Sequence, residues 1–442
     1  MSPNRMAKLN MPRRVTITGL GMVTSLGLEV EPSWQKALAG RSGIRRRSLD
    51  GADPSPVKAV GSVSEEDWAK IQKQFAKEAA TEGERRTLFA LWAAQSALND
   101  AGLEHGPSHG CYGVSLAAGA GVVSLEDLSR WVAADGRFDF LAFGGEYEQV
   151  GGASIVRNLA HRAASLVAQK FQLHGPNCTI TTACASATQA LGLGFRSLQR
   201  GDADVVLAGG ADSMINPIGI TAFALLNAAA TAPLEPELVC RPFDRKRSGL
   251  VIGEGAGIAV LEEEEHARKR GARIYAEVVG YGSSLDAYQV TAPEPRGQGA
   301  ALCMKRALRD AGLEPADIDY INAHGTSTKL NDAAETLAIK EVFQQWAPKI
   351  PISSSKSMIG HLMAAAGGPE FLFTVLSVGR DEIHPTINLT HPDPKCDLDY
   401  VPNVKRKHKV RAAVSNSFGF GGQNASIVVR KYGDKVESGA EG

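Results

Sequence analysis

The 442-residue sequence has no excess of either charge, with 48 Lys and Arg against 48 Asp and Glu. No global field attracts polyanions, so neither nucleic acid nor an anionic membrane is an expected partner, and a charged partner must meet a local patch. No apolar run is long enough to read as a membrane span. Residues Met1–Arg14 hold basic side chains without an apolar core, which argues against a secretory signal. The six cysteines show no CxxC spacing and the ten histidines no HExxH pair, so neither a metal site nor a disulfide framework is expected. A reducing cytoplasm fits best. What is present is ordinary core material: 43% of residues are hydrophobic and 22% charged, enough for one large domain or two.

The sequence repeats itself. "RVTITGLGMVTSLG" from Arg14 returns as "RIYAEVVGYGSSLD" from Arg273, and "SALNDAGLE" from Ser96 as "RALRDAGLE" from Arg306. The strand-like "YGVSLAAGAG" from Tyr112 is matched by "DYINAHGTST" from Asp319, and "ITTACASATQALG" from Ile180 by "ISSSKSMIGHLMAAAG" from Ile352. A glycine-rich hairpin, "GLVIGEGAGIAVLE" from Gly249, pairs with "SFGFGGQNASIVV" from Ser417. Echoes in one order predict two pseudo-symmetric α/β halves, with mostly parallel sheets and an active site between them. Residues 121–153 lack a counterpart and read as an insertion that caps the pocket or builds a subunit interface.

Within "CTITTACASATQALGLGF", residues 178–182 alternate like a strand, whereas Ala190, Leu191, Phe195 and Leu198 are spaced like a buried helix. Cys184 therefore falls at a strand-to-helix joint, where free N–H groups and the helix dipole favour a thiolate. The stretch alone fits a small buried hydrophobe equally well. His324 in "NAHGTSTKLNDAAE" follows an apolar strand, with Asp332 and Glu335 at helical spacing beyond it. Lys356 and His361 flank a glycine in "SSSKSMIGHLMAAAGGPE", and a cation near an imidazole favours its neutral form. In "SNSFGFGGQN", Gly419, Gly421 and Gly422 around Phe420 let backbone approach a ligand and aim N–H groups at it. Each segment, taken singly, also fits an ordinary core or surface role.

Together "TACAS", "HGTST", "KSMIGH", "NSFGFGGQN" and "RPFDRKRSGLVIGEGAG" resemble the elongating, type II-like β-ketoacyl-acyl-carrier-protein synthases of the thiolase-like superfamily. The resemblance runs from Arg13 to Arg430. It implies a duplicated, five-layered α/β/α/β/α fold with pseudo-twofold halves, residues 14–266 carrying the nucleophile and 267–431 the catalytic His and Lys. It implies a homodimer. It also implies that Cys184 accepts an acyl group from an acyl carrier protein, after which malonyl-loaded carrier loses carbon dioxide and attacks the thioester, lengthening the chain by two carbons. No cofactor is implied, since the phosphopantetheine arm belongs to the carrier.

By the same resemblance, the backbone at Cys184 and Phe420 forms one oxyanion site and His324 with His361 the other. Lys356 orients the histidines, and Glu335, Asp332 and Glu370 support them. Phe420 and its flanking glycines act as a gate, Val122 lines the acyl pocket, and Arg85 and Arg86 are candidates for carrier docking. Ala187, Asn227 and Gln423 stand where relatives usually carry Gly, Arg and Thr. Close rivals are ketosynthases of polyketide or aryl-polyene pathways, whose chemistry is the same. A non-catalytic chain-length partner is opposed by Cys184 with both histidines, and a degradative thiolase by the lack of a second suitably placed cysteine.

Overall fold

The computed structural model describes residues 12–47, 55–103, 110–119, 121, 128–149 and 159–434. Val122 lies outside them. The first half contributes strands β1 (Val15–Val23), β2 (Tyr112–Ala118), β3 (Asn177–Ile180), β4 (Val205–Ser213) and β5 (Ile252–Glu263). Its principal helices are α1 (Arg85–Asp100), α2 (Arg162–Phe171), α3 (Ser186–Arg200) and α4 (Pro217–Leu225). The second half supplies β6 (Ala276–Leu285), β7 (Tyr320–Asn322), β8 (Ile352–Ser353), β9 (Ala412–Gly419) and β10 (Gln423–Arg430), with α5 (Gln298–Ala311), α6 (Lys329–Phe343) and α7 (Gly367–Arg380).

The duplication is explicit in the strand order. From the molecular centre outward the first half runs β1-β5-β4-β2-β3 and the second β6-β10-β9-β7-β8. Corresponding pairs have the same sense: β4–β2 and β9–β7 are parallel, whereas β4–β5 and β9–β10 are antiparallel. The sheets are therefore mixed, not mostly parallel as the repeat suggested, because β5 and β10 return against their neighbours. The segment from Gly249 is likewise no hairpin: it leads into the single long strand β5, and only β9–β10 turns tightly, through residues 420–422. The two halves join edge to edge where Val15–Ile17 pairs with Ala276–Val278.

Helices α1 and α2 cover one face of the first half, α5 and α6 one face of the second, and α3 and α7 lie against each other between the sheets. This gives five layers. The repeated Gly-x-Gly on β1 and β6 has a shared physical cause. A Cβ on Gly19 or Gly21 would overlap the backbone of α1 at Ala97 or Ala93, and one on Gly280 or Gly282 the backbone of α5 at Ala307 or Cys303. The middle layer needs small residues too. A Cβ on Gly192 of α3 would enter the Tyr281 ring, and Gly257 of β5 lies under Pro369 of α7. Such close approach removes nearly all water from the centre, where the strand ends deliver the reactive side chains.

Candidate active site

Cys184 sits where the alternation ended, in the turn between β3 and α3. Ala183 before it is left-handed (φ 49°), a conformation that costs a non-glycine residue about 1–2 kcal/mol. The turn is fastened locally: the Thr182 N–H donates to Ser186 Oγ (2.7 Å), and that hydroxyl donates to the Ala183 carbonyl (2.6 Å). The thiol is buried, and the Phe420 N–H hydrogen-bonds to it. Gly419 is required beside it. A Cβ there would stand 2.9 Å from the Cys184 nitrogen and 3.1 Å from that of Ala185.

Three segments converge on this thiol, those carrying His324, Lys356 with His361, and Phe420. His324 follows β7, and its N–H and that of Gly325 donate to the two carboxylate oxygens of Glu335 (2.9 and 2.8 Å). Asp332 accepts from the N–H groups of Thr326 (3.0 Å) and Phe243 (2.8 Å), so the "HGTST" loop is held by carboxylates from the first turns of α6. Lys356 Nζ donates to His324 Nδ1 at 3.3 Å and is ion-paired with Glu370 of α7. Nδ1 of His361 accepts the Met363 N–H at 3.0 Å. With both Nδ1 atoms acting as acceptors, the proton of each neutral ring lies on Nε2. The two rings meet edge to face with centroids 5.3 Å apart.

Burial governs the protonation states. Desolvation first, then the Lys356 ammonium, holds both imidazoles well below the usual histidine range, so they are neutral hydrogen-bond donors near pH 7. Burial pushes Glu335 and Glu370 up to about 7, the latter restrained by Lys356. The Cys184 thiol is pushed up to about 11, again by burial, with Lys356 and the Phe420 N–H pulling the other way. This corrects the expectation of a thiolate favoured by the helix start: here desolvation outweighs the dipole. Cys184 Sγ and one ring nitrogen from each histidine also lie within 4.8 Å of one another, a donor set that a soft cation would fit. The Lys356 ammonium beside it opposes one.

The structure thus brings Cys184, His324, His361, Lys356, Phe420 and Gly419 to one centre, with Gly421 and Gly422 (φ 75° and 74°) forming the turn behind Phe420. The carboxylate on Lys356 is that of Glu370, while Glu335 acts on the backbone of His324. Above the thiol opens a cleft of about 350 Å³ lined by Asn227, Thr326, Thr328, Lys329, Leu330, Phe418 and Asn424 among others. The two threonines were not singled out from sequence, although they stand inside the quoted "HGTST" motif. Asp286 was missed as well. It accepts from Asn424 Nδ2 (2.6 Å), its own N–H donates to the Gly422 carbonyl (2.9 Å), and Gly421 N–H reaches Val290 (2.6 Å), so the loop after β6 fixes the Phe420 turn.

Arg86 does not form a docking surface. Only 1% exposed, it donates to the Gly119 carbonyl and the Glu84 carboxylate, each at 2.8 Å. Arg85 lies against Glu254 (2.8 Å) and over the Trp68 ring. Both project from the first turn of α1 toward carboxylates at the sheet end. Ala187 packs over Gly210, 3.1 Å from where a Cβ on that glycine would stand. Gln423 opens β10, and Asn227 is exposed at the cleft.

A family model of the β-ketoacyl synthase N-terminal domain matches residues 12–267, and one of the C-terminal domain matches residues 275–390. The chain belongs to the β-ketoacyl synthase family. It is 40% identical over 422 residues to 3-oxoacyl-[acyl-carrier-protein] synthase 2 of Coxiella burnetii, a match covering 96% of this chain and 99% of that protein. With the synthase of the same description from Staphylococcus aureus N315 it shares 38% over 425 residues, covering 96% and 100%. Among solved structures, a type II polyketide ketosynthase in complex with its acyl-carrier protein and bound to a hexaketide is 34% identical with a TM-score of 0.85, over 95% and 99% of the chains. A β-ketoacyl synthase from Burkholderia phymatum has the same identity and coverage and a TM-score of 0.82. The five layers are therefore the thiolase-like fold of these ketosynthases.

Proposed function

We infer that this β-ketoacyl synthase is an elongating 3-oxoacyl-[acyl-carrier-protein] synthase, an acyltransferase of fatty-acid biosynthesis. One observation carries the reading: a single buried thiol faces two separate pairs of hydrogen-bond donors, the backbone N–H groups at Cys184 and Phe420 and the two imidazole Nε2–H groups. Carbon–carbon condensation on a thioester develops negative charge at two oxygens, and each pair suits one of them.

In the first step Cys184 sulfur bonds to the acyl carbon, the carrier sulfur leaves, and the thiol proton ends on the departing carrier. The backbone pair stabilises the tetrahedral oxyanion. Malonyl-loaded carrier then places its thioester oxygen on His324 and His361. The carbon–carboxylate bond breaks, carbon dioxide leaves, and the electron pair forms the new bond to the acyl carbon. Collapse expels Cys184, which takes up one proton. Because the imidazoles are already neutral, they donate to the enolate without first losing a charge. Lys356 fixes the His324 tautomer, and Glu370 balances the ammonium. The phosphopantetheine arm arrives with the carrier, so the protein needs no cofactor of its own.

The assembly is proposed as a cytoplasmic homodimer. Strand β3 ends the sheet with Asn177 and Cys178 exposed, an open edge onto which the same strand of a second copy adds. Among the described residues no helix is long and apolar enough to cross a membrane.

The test is turnover of acyl- and malonyl-loaded carrier protein followed by mass spectrometry. The reading expects an acyl adduct on Cys184 and a β-ketoacyl product two carbons longer, and an adduct on another residue rejects it. A second reading, a ketosynthase of a polyketide or aryl-polyene pathway, uses the same site chemistry on a different acyl chain, and a type II polyketide ketosynthase is among the similar solved structures. Supplying malonyl-loaded carrier alone distinguishes the polyketide form, since only it yields poly-β-keto chains.

A further inference from the structure

His361 belongs to the second half, yet the first half holds it. Its N–H donates to the Val251 carbonyl at 2.7 Å and its carbonyl accepts the Gly253 N–H at 2.8 Å, which bridges the residue to Ile252 at the start of β5. The chain then makes a tight turn over Met363–Ala365, with Met363 left-handed at φ 49°. That turn lies on β4. A Cβ on Gly210 would stand 3.2 Å from the Ala365 Cα, and two residues further along the same face of the strand Asp212 reaches the turn itself.

Asp212 is 2% exposed, and both its oxygens are engaged: Oδ1 accepts the Ser213 N–H and Oδ2 the Ala364 N–H, each at 2.9 Å. Two converging N–H groups call for a carboxylate, because an amide of the same shape would offer an acceptor to one and a donor to the other. The side chain has no room to swing away. A Cβ on Gly119 would stand 2.4 Å from Oδ2. Burial pushes the carboxyl up to about 6, against the pull of the Ala364 N–H, the Arg86 guanidinium on α1 and the Ser213 N–H, so it is largely ionised near pH 7. Both of these hydrogen bonds end on backbone, not on a reacting group. The Met363 N–H is the donor that His361 Nδ1 accepts, and the next N–H in the chain is the one that Asp212 holds.

We propose that Asp212 is a positioning residue for condensation: it clamps the turn after His361 through the Ala364 N–H, which sets the Met363 N–H against His361 Nδ1 and so directs Nε2–H toward the enolate oxygen. The turn presents that donor only while Met363 stays left-handed, a conformation that a residue with a side chain rarely adopts unaided. The carboxylate supplies the restraint from the opposite half. Its loss is therefore felt through His361, not through His324 or Cys184. The proposal rests on the ketosynthase reading of the site given above.

The test is a double-mutant cycle. Asp212→Asn keeps the shape and removes one of the two acceptors. It is expected to slow condensation about tenfold while acyl loading of Cys184 stays within about threefold. In a His361→Ala background the same change is expected to cost less than about twofold, and in a His324→Ala background the full tenfold or so. A purely structural role would lower loading together with condensation and cost the same in every background. Amide hydrogen exchange over residues 361–366, read by mass spectrometry, needs no turnover. The segment is expected to exchange about tenfold faster in Asp212→Asn, and faster still in Asp212→Ala, which removes both acceptors. Equal costs in the two histidine backgrounds, or exchange unchanged in both variants, overturns the clamp. Wild type that loads Cys184 but condenses nothing overturns the ketosynthase reading instead, and the exchange measurement then decides the clamp.

Discussion

The two halves repeat one strand order, yet their matched strand-to-helix joints carry opposite chemistry. The first-half joint carries small apolar and hydroxyl side chains and no charge. Cys184 stands among the buried Ala185, Ala187 and Ala190, and the buried acid on that side, Asp212, is occupied by the N–H groups of Ser213 and Ala364. The second-half joint buries Lys356, His361 and Glu370, and the loop after β7 adds His324 over Glu335. Duplication has separated the nucleophile from the charges that serve it. The thiol stays protonated in its apolar setting until substrate arrives, while the costly ionic network is assembled once, in the other half, with each member given a partner.

If that contrast is right, the halves should fail differently. Cys184→Ala is expected to abolish acyl loading and condensation altogether with little loss of stability, because an apolar joint loses only a sulfur. Intact mass spectrometry and a melting curve check both parts, and a large drop in Tm would break the contrast. Lys356→Met should do the reverse to stability. It leaves Glu370 buried without its cation, at a cost of about 3–5 kcal/mol, and adding Glu370→Leu should recover most of that loss in denaturant titration. No recovery would mean that the pair is not what holds this joint.

Smaller in effect, and aimed at the histidines alone, are His324→Ala and His361→Ala. Each removes one Nε2–H donor and is expected to slow condensation about 100-fold, or ~3 kcal/mol of barrier, with a lesser effect on acyl loading. Single-turnover loading measured apart from condensation reads the difference. Equal losses in both steps would place the histidines on the first-half chemistry as well.

Much of this division was legible in the sequence. The change from alternation to helical spacing located Cys184, and five paired segments in one order exposed the duplication; the structure shows that the Gly-x-Gly shared by β1 and β6 is one packing demand met twice. Three things were not legible. Arg85 and Arg86 read as a surface pair, since Glu254, the partner of Arg85, is remote in sequence and comes close only through the fold. The direction of the thiol's pKa depended on how completely the middle layer excludes water. Lys356 faces His324 and not His361, because Gly360 (φ 74°) and Met363 (φ 49°) turn the chain back and give the His361 Nδ1 a backbone partner. Side-chain direction through such turns cannot be read from spacing.

The mildest test concerns Ala187, where relatives by resemblance carry glycine. It lies in the first turn of α3, fully buried, and its methyl covers Gly210 of β4. In the catalytic half a lost methyl would disturb a hydrogen-bonded network. Here it has only apolar neighbours to lose. Ala187→Gly should therefore destabilise by at most ~1 kcal/mol, the helix-propensity difference and a small packing loss together, and leave condensation within about twofold. The bound on stability is meaningful because Gly210 cannot fill the space: a Cβ on it would stand 2.8 Å from the Ala117 Cβ. A denaturant melt and a condensation assay measure the two effects. A loss of several kcal/mol, or of activity beyond tenfold, would show that the apolar joint positions Cys184 as strictly as the ionic joint positions its histidines, and the contrast between the halves would fall.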